Sequence, residues 1–96
     1  MIMNVNLDEL DVLHIPEKNR FEIHVDGLVA ELTYTMHNNQ IIFMHTIVPS
    51  ELEGQGVGGK IVKAGLDYAR ASGFKIRSMC SFVSAYLKRH PEYQTP

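Results

Sequence analysis

Between Leu52 and Lys60 the chain reads LEGQGVGGK, with glycine at 54, 56, 58 and 59. Glycines spaced this closely let a backbone turn several N–H groups toward one anion. A helix starting directly behind them adds the partial positive charge of its N-terminus. Three phosphate-binding spacings fit the stretch. From Gly54 it is G-x-G-x-x-G, the dinucleotide pattern, and also G-x-x-x-x-G-K, most of a triphosphate loop. From Glu53 to Gly58 it nearly matches [QR]-x-x-G-x-[GA], the loop that cradles coenzyme A. The other candidates for chemistry are a lone cysteine, Cys80, and His45, one of five histidines. His14, His24, His37 and His90 show no ligand spacing with acids or with the cysteine, so no metal is expected.

These residues need elements to position them. RFEIHV (Arg20–Val25) alternates apolar and polar residues as a half-buried strand does. Asp26-Gly27 signals a hairpin, and Leu28–Met36 alternates as its partner. After the turn HNN, Gln40–Val48 is apolar at nearly every position and is expected to be a central strand covered on both faces, ended by Pro49. Behind the glycines, Val57, Ile61, Gly65/Leu66 and Ala69 mark one face of a helix from about Gln55 to Ala71, closed by Gly73. Phe74–Cys80 alternates again. Ser81–His90 reads as a second helix, capped by Ser81 and stopped by Pro91. Strand, helix and strand in this order form a right-handed parallel crossover. The expected fold is α/β of the α+β kind: a mixed, mostly antiparallel sheet with one β-α-β crossover and a C-terminal helix.

At 96 residues the expectation is one domain spanning 1–96, with residues 1–10, which show no period, fraying. The composition, 45% hydrophobic and 21% charged, is that of a water-soluble globule. No apolar run approaches the ~18 residues of a membrane span, and the N-terminus is acidic rather than signal-like. One cysteine suits a reducing compartment, so a cytoplasmic location without membrane association is expected. Residues 1–53 carry nine acids against Lys18 and Arg20, a balance of −7, whereas residues 54–96 stand at +5. The glycine-loop half thus favours an anion and the other half a cation. A pI near 6.2, with basic residues not interleaved with aromatics, argues against nucleic acid.

The three loop patterns are not equal. A triphosphate loop needs a hydroxyl after its lysine to hold magnesium, and this chain has Ile61 there. A dinucleotide loop needs its glycines directly off a strand and an acid at the end of the next one. Here PSELE intervenes, and the next strand ends Ser78-Met79-Cys80. The coenzyme A pattern asks for antiparallel strands, a central strand that stops, a short loop, glycines and a helix, and the chain supplies each.

On these residues, HTIVPSELEGQGVGGKIVKAGLDYARASGFKI (His45–Ile76) resembles the acyl-CoA-binding core of the GNAT N-acetyltransferase superfamily. With CSFVSAYLKRHPEY (Cys80–Tyr93) added, the chain is similar to the small stand-alone N-acetyltransferase-like proteins of the Yjdj type. The resemblance implies a minimal acyl-CoA N-acyltransferase fold in which the pantetheine arm lies along the backbone of Thr46, Ile47 and Val48. It further implies that the pyrophosphate sits on backbone N–H groups of Gly54, Gln55, Gly56, Val57, Gly58 and Gly59. Glu53 departs from the loop pattern, so its side chain is expected to point away. Lys60, Lys63, Lys88 and Arg89 are candidates to offset the phosphates.

The implied activity is transfer of an acetyl group from acetyl-CoA to an amine, on a small molecule or a protein. The glutamate that the superfamily often carries on the central strand is missing, since Ile47 offers no base. Tyr86 is on the right helix, but the usual tyrosine register falls nearer Leu87. Cys80 ends the strand beside the central one, at a helix N-terminus that lowers a thiol's pKa. His45 lies near the carboxyl end of the central strand. The two are therefore expected to face one cleft as a Cys–His pair, with transfer through an acetyl-cysteine; the Yjdj-type resemblance points to the same cysteine. The alternative is a non-catalytic acyl-CoA-binding or sensing module that kept the loop and lost the base.

Overall fold

The computed structural model describes residues 4–96. Five strands form one sheet in the order β1-β2-β3-β4-β5: β1 (Leu13–Ile15), β2 (Arg20–Val25), β3 (Leu28–His37), β4 (Gln40–Ile47) and β5 (Lys75–Ser78). The first four pair antiparallel in sequence order, and β5 pairs parallel with β4. The crossover is α1 (Val57–Ser72), and α2 (Ser81–Arg89) follows β5. Both hairpin turns use residues with positive φ, Asp26-Gly27 at 47° and 81° and Asn38-Asn39 at 47° and 63°. These φ values match the twist of paired strands.

The alternation in β2 and β3 sends Phe21, Ile23, Ala30, Leu32 and Tyr34 to one face of the sheet, where both helices pack. Helix α1 carries three glycines, Gly58, Gly59 and Gly65, each costing up to about 1 kcal/mol in a helix interior. It also buries Val57, Ile61, Val62 and Leu66 almost completely, each worth about 1.5–3 kcal/mol. Packing against the sheet, rather than helix propensity, therefore holds α1 in place.

Three expectations need correction. Strand β4 is covered on one face only: Ile41 and Phe43 are buried, Ile42 and Met44 half-buried, and Ile47 is 53% exposed. Cys80, not Ser81, caps α2, and its carbonyl accepts the N–H of Ser84 at 2.9 Å. The third concerns the first ten residues. Met1–Met3 lie outside the described residues, but the rest of that stretch is held on the fold. Leu7–Glu9 forms a 3-10 turn capped by Asn6, and Val5, Leu7 and Leu10 pack against the core. Strand β1 has no counterpart among the expected elements.

One irregularity matters for everything downstream. Opposite β3, Tyr34 pairs with Phe43 but Thr33 pairs with His45, leaving Met44 as an extra residue in β4. Such a bulge shifts the inward and outward alternation by one position. Upstream of it Ile41 and Phe43 face the helices; downstream it is Thr46, paired with Leu32, that does.

Candidate functional site

Strands β4 and β5 pair only from Gln40/Lys75 to Phe43/Ser78. The N–H of Met79 donates to the carbonyl of Phe43 at 2.8 Å, and then the chain turns into α2 at Cys80. Beyond that bond β4 runs on to Ile47 with no β5 partner, so one edge of its backbone is unpaired at the point where the strands separate.

A cavity of about 730 Å³ opens there. One wall is Thr46, Ile47 and Val48, with Leu52 beneath. The glycine loop forms the second, through Gly54, Gly56, Val57, Gly58 and Gly59, with Glu53 at the exposed rim. Phe82, in the first turn of α2, closes the third side. Its ring lies against Gly58: a Cβ at that position would stand 2.9 Å from Phe82 Cζ, so only glycine fits beneath it unmoved. Nothing in the sequence pattern singles out Phe82; only its exposure in the structure, 42% for a phenylalanine on a helix, sets it apart.

Of the residues named above for the coenzyme, all but Gln55 line this cavity. Gln55 turns its amide outward, accepting the N–H of Val5 and donating to the carbonyl of Glu51. Glu53 is an exposed residue of the cavity rim. The expected cations are engaged elsewhere or exposed. The Lys60 ammonium donates to the carbonyl of Leu7, Lys63 pairs with Asp67 at 2.7 Å, and Arg89 lies over the Tyr86 ring. Tyr86 is itself buried between the helices, stacked on His90 with centroids 4.2 Å apart, and does not line the cavity.

Cys80 is 9% exposed, with its sulfur 3.4 Å from the hydroxyl of Thr46. Burial pushes the thiol's pKa up. The Thr46 hydroxyl and the backbone N–H groups of Val83, Phe82 and Thr46 act against burial and prevail, leaving the thiol more acidic than an ordinary cysteine. The chemical capacity of this corner is that of a thiol made more acidic at the N-terminus of a helix.

His45 does not share it. Neighbouring strand residues point to opposite faces, and Thr46 faces Cys80, so His45 faces the other way, exposed and opposite Thr33. The expected Cys–His pair is therefore not formed, and the bulge at Met44 is the reason. Counted without the bulge, His45 would follow Ile41 and Phe43 onto the helix-covered face. Among the described residues no group of histidine, cysteine and acidic side chains could hold a metal ion, and no helix is long and apolar enough to cross a membrane.

The family model described as GCN5-related N-acetyl-transferase matches residues 20–95. Among solved structures, the chain is similar to the NMR solution structure of a GCN5-like candidate N-acetyltransferase from Staphylococcus aureus. The two share 40% sequence identity at a TM-score of 0.69, over 88% of this chain and 83% of that one. No curated protein matches.

Proposed function

Because the chain belongs to the GCN5-related N-acetyltransferases, acyl-transfer enzymes by family, we propose that it transfers an acetyl group from acetyl-CoA to an amine by way of Cys80. The observation that carries this reading is a cavity with the thiol directly beside it. The unpaired edge of β4 at Thr46–Val48 and the glycine loop at the start of α1 line that cavity, and Cys80, at the start of α2, lies just outside the lining with its sulfur 3.4 Å from the hydroxyl of Thr46.

Each feature suits one part of the donor. Unpaired strand N–H and C=O groups match the two amides of a pantetheine arm, which adds to β4 as a further strand would. Backbone N–H groups of Gly54, Gln55, Gly56, Val57, Gly58 and Gly59, with the N-terminus of α1, suit the pyrophosphate. The arm's thioester then ends beside Cys80. In the first step the Cys80 thiolate attacks the acetyl carbonyl. The oxyanion collapses with cleavage of the bond to the coenzyme's sulfur, which leaves as a thiolate and takes up a proton. In the second step a neutral amine attacks acetyl-Cys80, the thiolate is released, and the amine's surplus proton passes to water. One thioester replaces another in the first step, so that exchange is nearly balanced, and amide formation drives the second.

Direct attack by the amine on acetyl-CoA is the competing route within the same activity. It lacks a base here: Ile47 occupies the strand position where a carboxylate would serve, and Tyr86 lies outside the cavity. No observation favours the non-catalytic alternative. The acidic N-terminal half suits an acceptor that is cationic until it loses its proton, such as a polyamine, an amino sugar or a lysine side chain.

The test is intact-mass measurement after titration with acetyl-CoA, for the wild type and Cys80→Ala, followed by a screen of amine acceptors. Saturable binding with a single acetyl adduct that is absent from Cys80→Ala supports transfer through the cysteine. Binding and turnover without an adduct would replace it with direct transfer, and the absence of binding would overturn the coenzyme reading.

A further inference from the structure

The glycine loop has a second side, away from the cavity, and the start of the chain is fastened to it at three points. The Gln55 amide oxygen accepts the N–H of Val5 at 3.0 Å. The Lys60 ammonium donates to the carbonyl of Leu7, which also accepts the N–H of Leu10 at 3.1 Å. The Leu7 side chain lies against Gly56, where a Cβ would come within 2.8 Å of Leu7 Cδ1. Gly56 has a φ of 86° and immediately precedes α1, so Leu7 packs at the hinge between loop and helix. These contacts span about fifty residues of sequence, and none of Val5, Leu7, Gln55 and Lys60 lines the donor cavity, although Gly56, on which Leu7 packs, does.

A loop with four glycines in six residues samples many backbone conformations when nothing constrains it. Freezing it around an anion at the moment of binding would subtract that lost entropy from affinity. Contacts that hold the loop beforehand remove this cost. We propose that residues 5–7 are a brace that holds the glycine loop ready for its anion, and that the side chains of Leu7, Gln55 and Lys60 position the loop and so raise acetyl-CoA affinity without themselves touching the coenzyme. The inference rests on the reading of the loop as the coenzyme's pyrophosphate site. It reassigns Lys60, which the sequence offers as a phosphate partner, to the opposite side of the loop. The coupling is reciprocal: whatever the brace contributes to coenzyme binding, bound coenzyme returns to the brace.

Calorimetric titration with acetyl-CoA, alongside amide hydrogen exchange, tests it on the full chain carrying Leu7→Ala, Gln55→Ala or Lys60→Met. Each variant is expected to bind roughly tenfold more weakly, the factor that accompanies 1.4 kcal/mol. Exchange at Gly54–Gly59 in the free protein should accelerate while the amides of β3 and β4 keep their protection. The salt dependence of binding should be unchanged in Lys60→Met, because no phosphate contact is lost. Coenzyme should slow exchange at Val5 in the wild type. Wild-type binding that survives all three substitutions within twofold, or loop exchange that does not respond to them, would overturn the brace. A reduced salt dependence in Lys60→Met would return that lysine to the phosphates. Failure of the wild type to bind acetyl-CoA would instead overturn the coenzyme reading beneath it. Leu7→Ala also removes packing, so Gln55→Ala, which removes only the two hydrogen bonds of its side-chain amide, to Val5 and Glu51, decides the case if the first variant melts early.

Discussion

The Thr46 hydroxyl lies 3.4 Å from the sulfur of Cys80, joining the unpaired end of β4 to the first turn of α2 across the point where β4 and β5 separate. The residue facing the only thiol of the chain is thus an alcohol that can donate a hydrogen bond to a thiolate, not an imidazole that could take its proton. Under the proposed route the thiol therefore reacts through its own acidity rather than through a base beside it.

Thr46→Val keeps the shape and removes the hydroxyl. Hydrogen bonds to charged groups are worth about 1.5–3 kcal/mol. Losing this one is expected to raise the Cys80 pKa and slow its alkylation by iodoacetamide near neutral pH by about tenfold or more. Thr46→Ser should restore the rate. The pH profile of alkylation checks the direction: the curve for Thr46→Val should move to higher pH, and a curve that coincides with the wild type would separate the hydroxyl from the thiol.

His45→Ala and Cys80→Ala should part company. His45 is exposed on the face opposite Thr46, so its replacement is expected to leave acetyl-CoA affinity and the acetyl adduct within about twofold, the scale of ordinary surface substitutions. Cys80→Ala should abolish the adduct and retain coenzyme affinity. A large loss of adduct in His45→Ala would mean that β4 takes up an unbulged register when the donor binds.

Glu53 stands at the cavity rim, where a carboxylate repels phosphates. Glu53→Gln is expected to tighten acetyl-CoA binding a few-fold at low ionic strength. The gain should shrink as salt is added and the Debye length falls to about 8 Å at physiological strength. Titrations at two salt concentrations suffice.

On the outer face of the sheet Glu22 is 7% exposed and accepts from the His24 ring at 2.8 Å. That hydrogen bond, opposed by burial and helped by Arg20, holds its carboxyl below the usual glutamate range. The folded protein therefore binds this proton less readily than the unfolded chain does. The resulting stability is complete above the unfolded glutamate's pKa and is lost as pH falls through the lower, folded value. Thermal melts should show Glu22→Gln less stable than the wild type near neutral pH, with the difference narrowing in acid. A constant difference would place the destabilisation in packing.

Much of the fold could be read locally. Strands β2 and β3 alternate cleanly because one face is buried and the other is not, and their turns carry Asp-Gly and Asn-Asn, residues that tolerate positive φ. Helix α1 shows its buried stripe at helical spacing. Strand β1 leaves no signal in the sequence because three residues are too few to show a period, and Pro16 follows directly. The misplaced cap of α2 has a similar cause: Ser81 is the better capping residue by type, but the end of β5 leaves Cys80 extended at φ −107° and ψ 127°, and the helix begins after it.

The glycine loop, the helix behind it and the thiol at the next helix start were determined by the sequence itself. Each is a matter of residue type at short spacing, and short-range geometry follows from that. Which side chains meet across the chain was decided only by the tertiary structure. In QIIFMHTIV nearly every position is apolar, so no alternation exists for an extra residue to interrupt, and the bulge at Met44 leaves no local trace. Yet it turns Thr46 instead of His45 toward Cys80. The brace on the loop is equally invisible, because Val5 and Gln55 meet only once the sheet has closed the fifty residues between them. Face and partner are properties of strand register and packing, and register is set against β3, far from the residues whose roles it assigns.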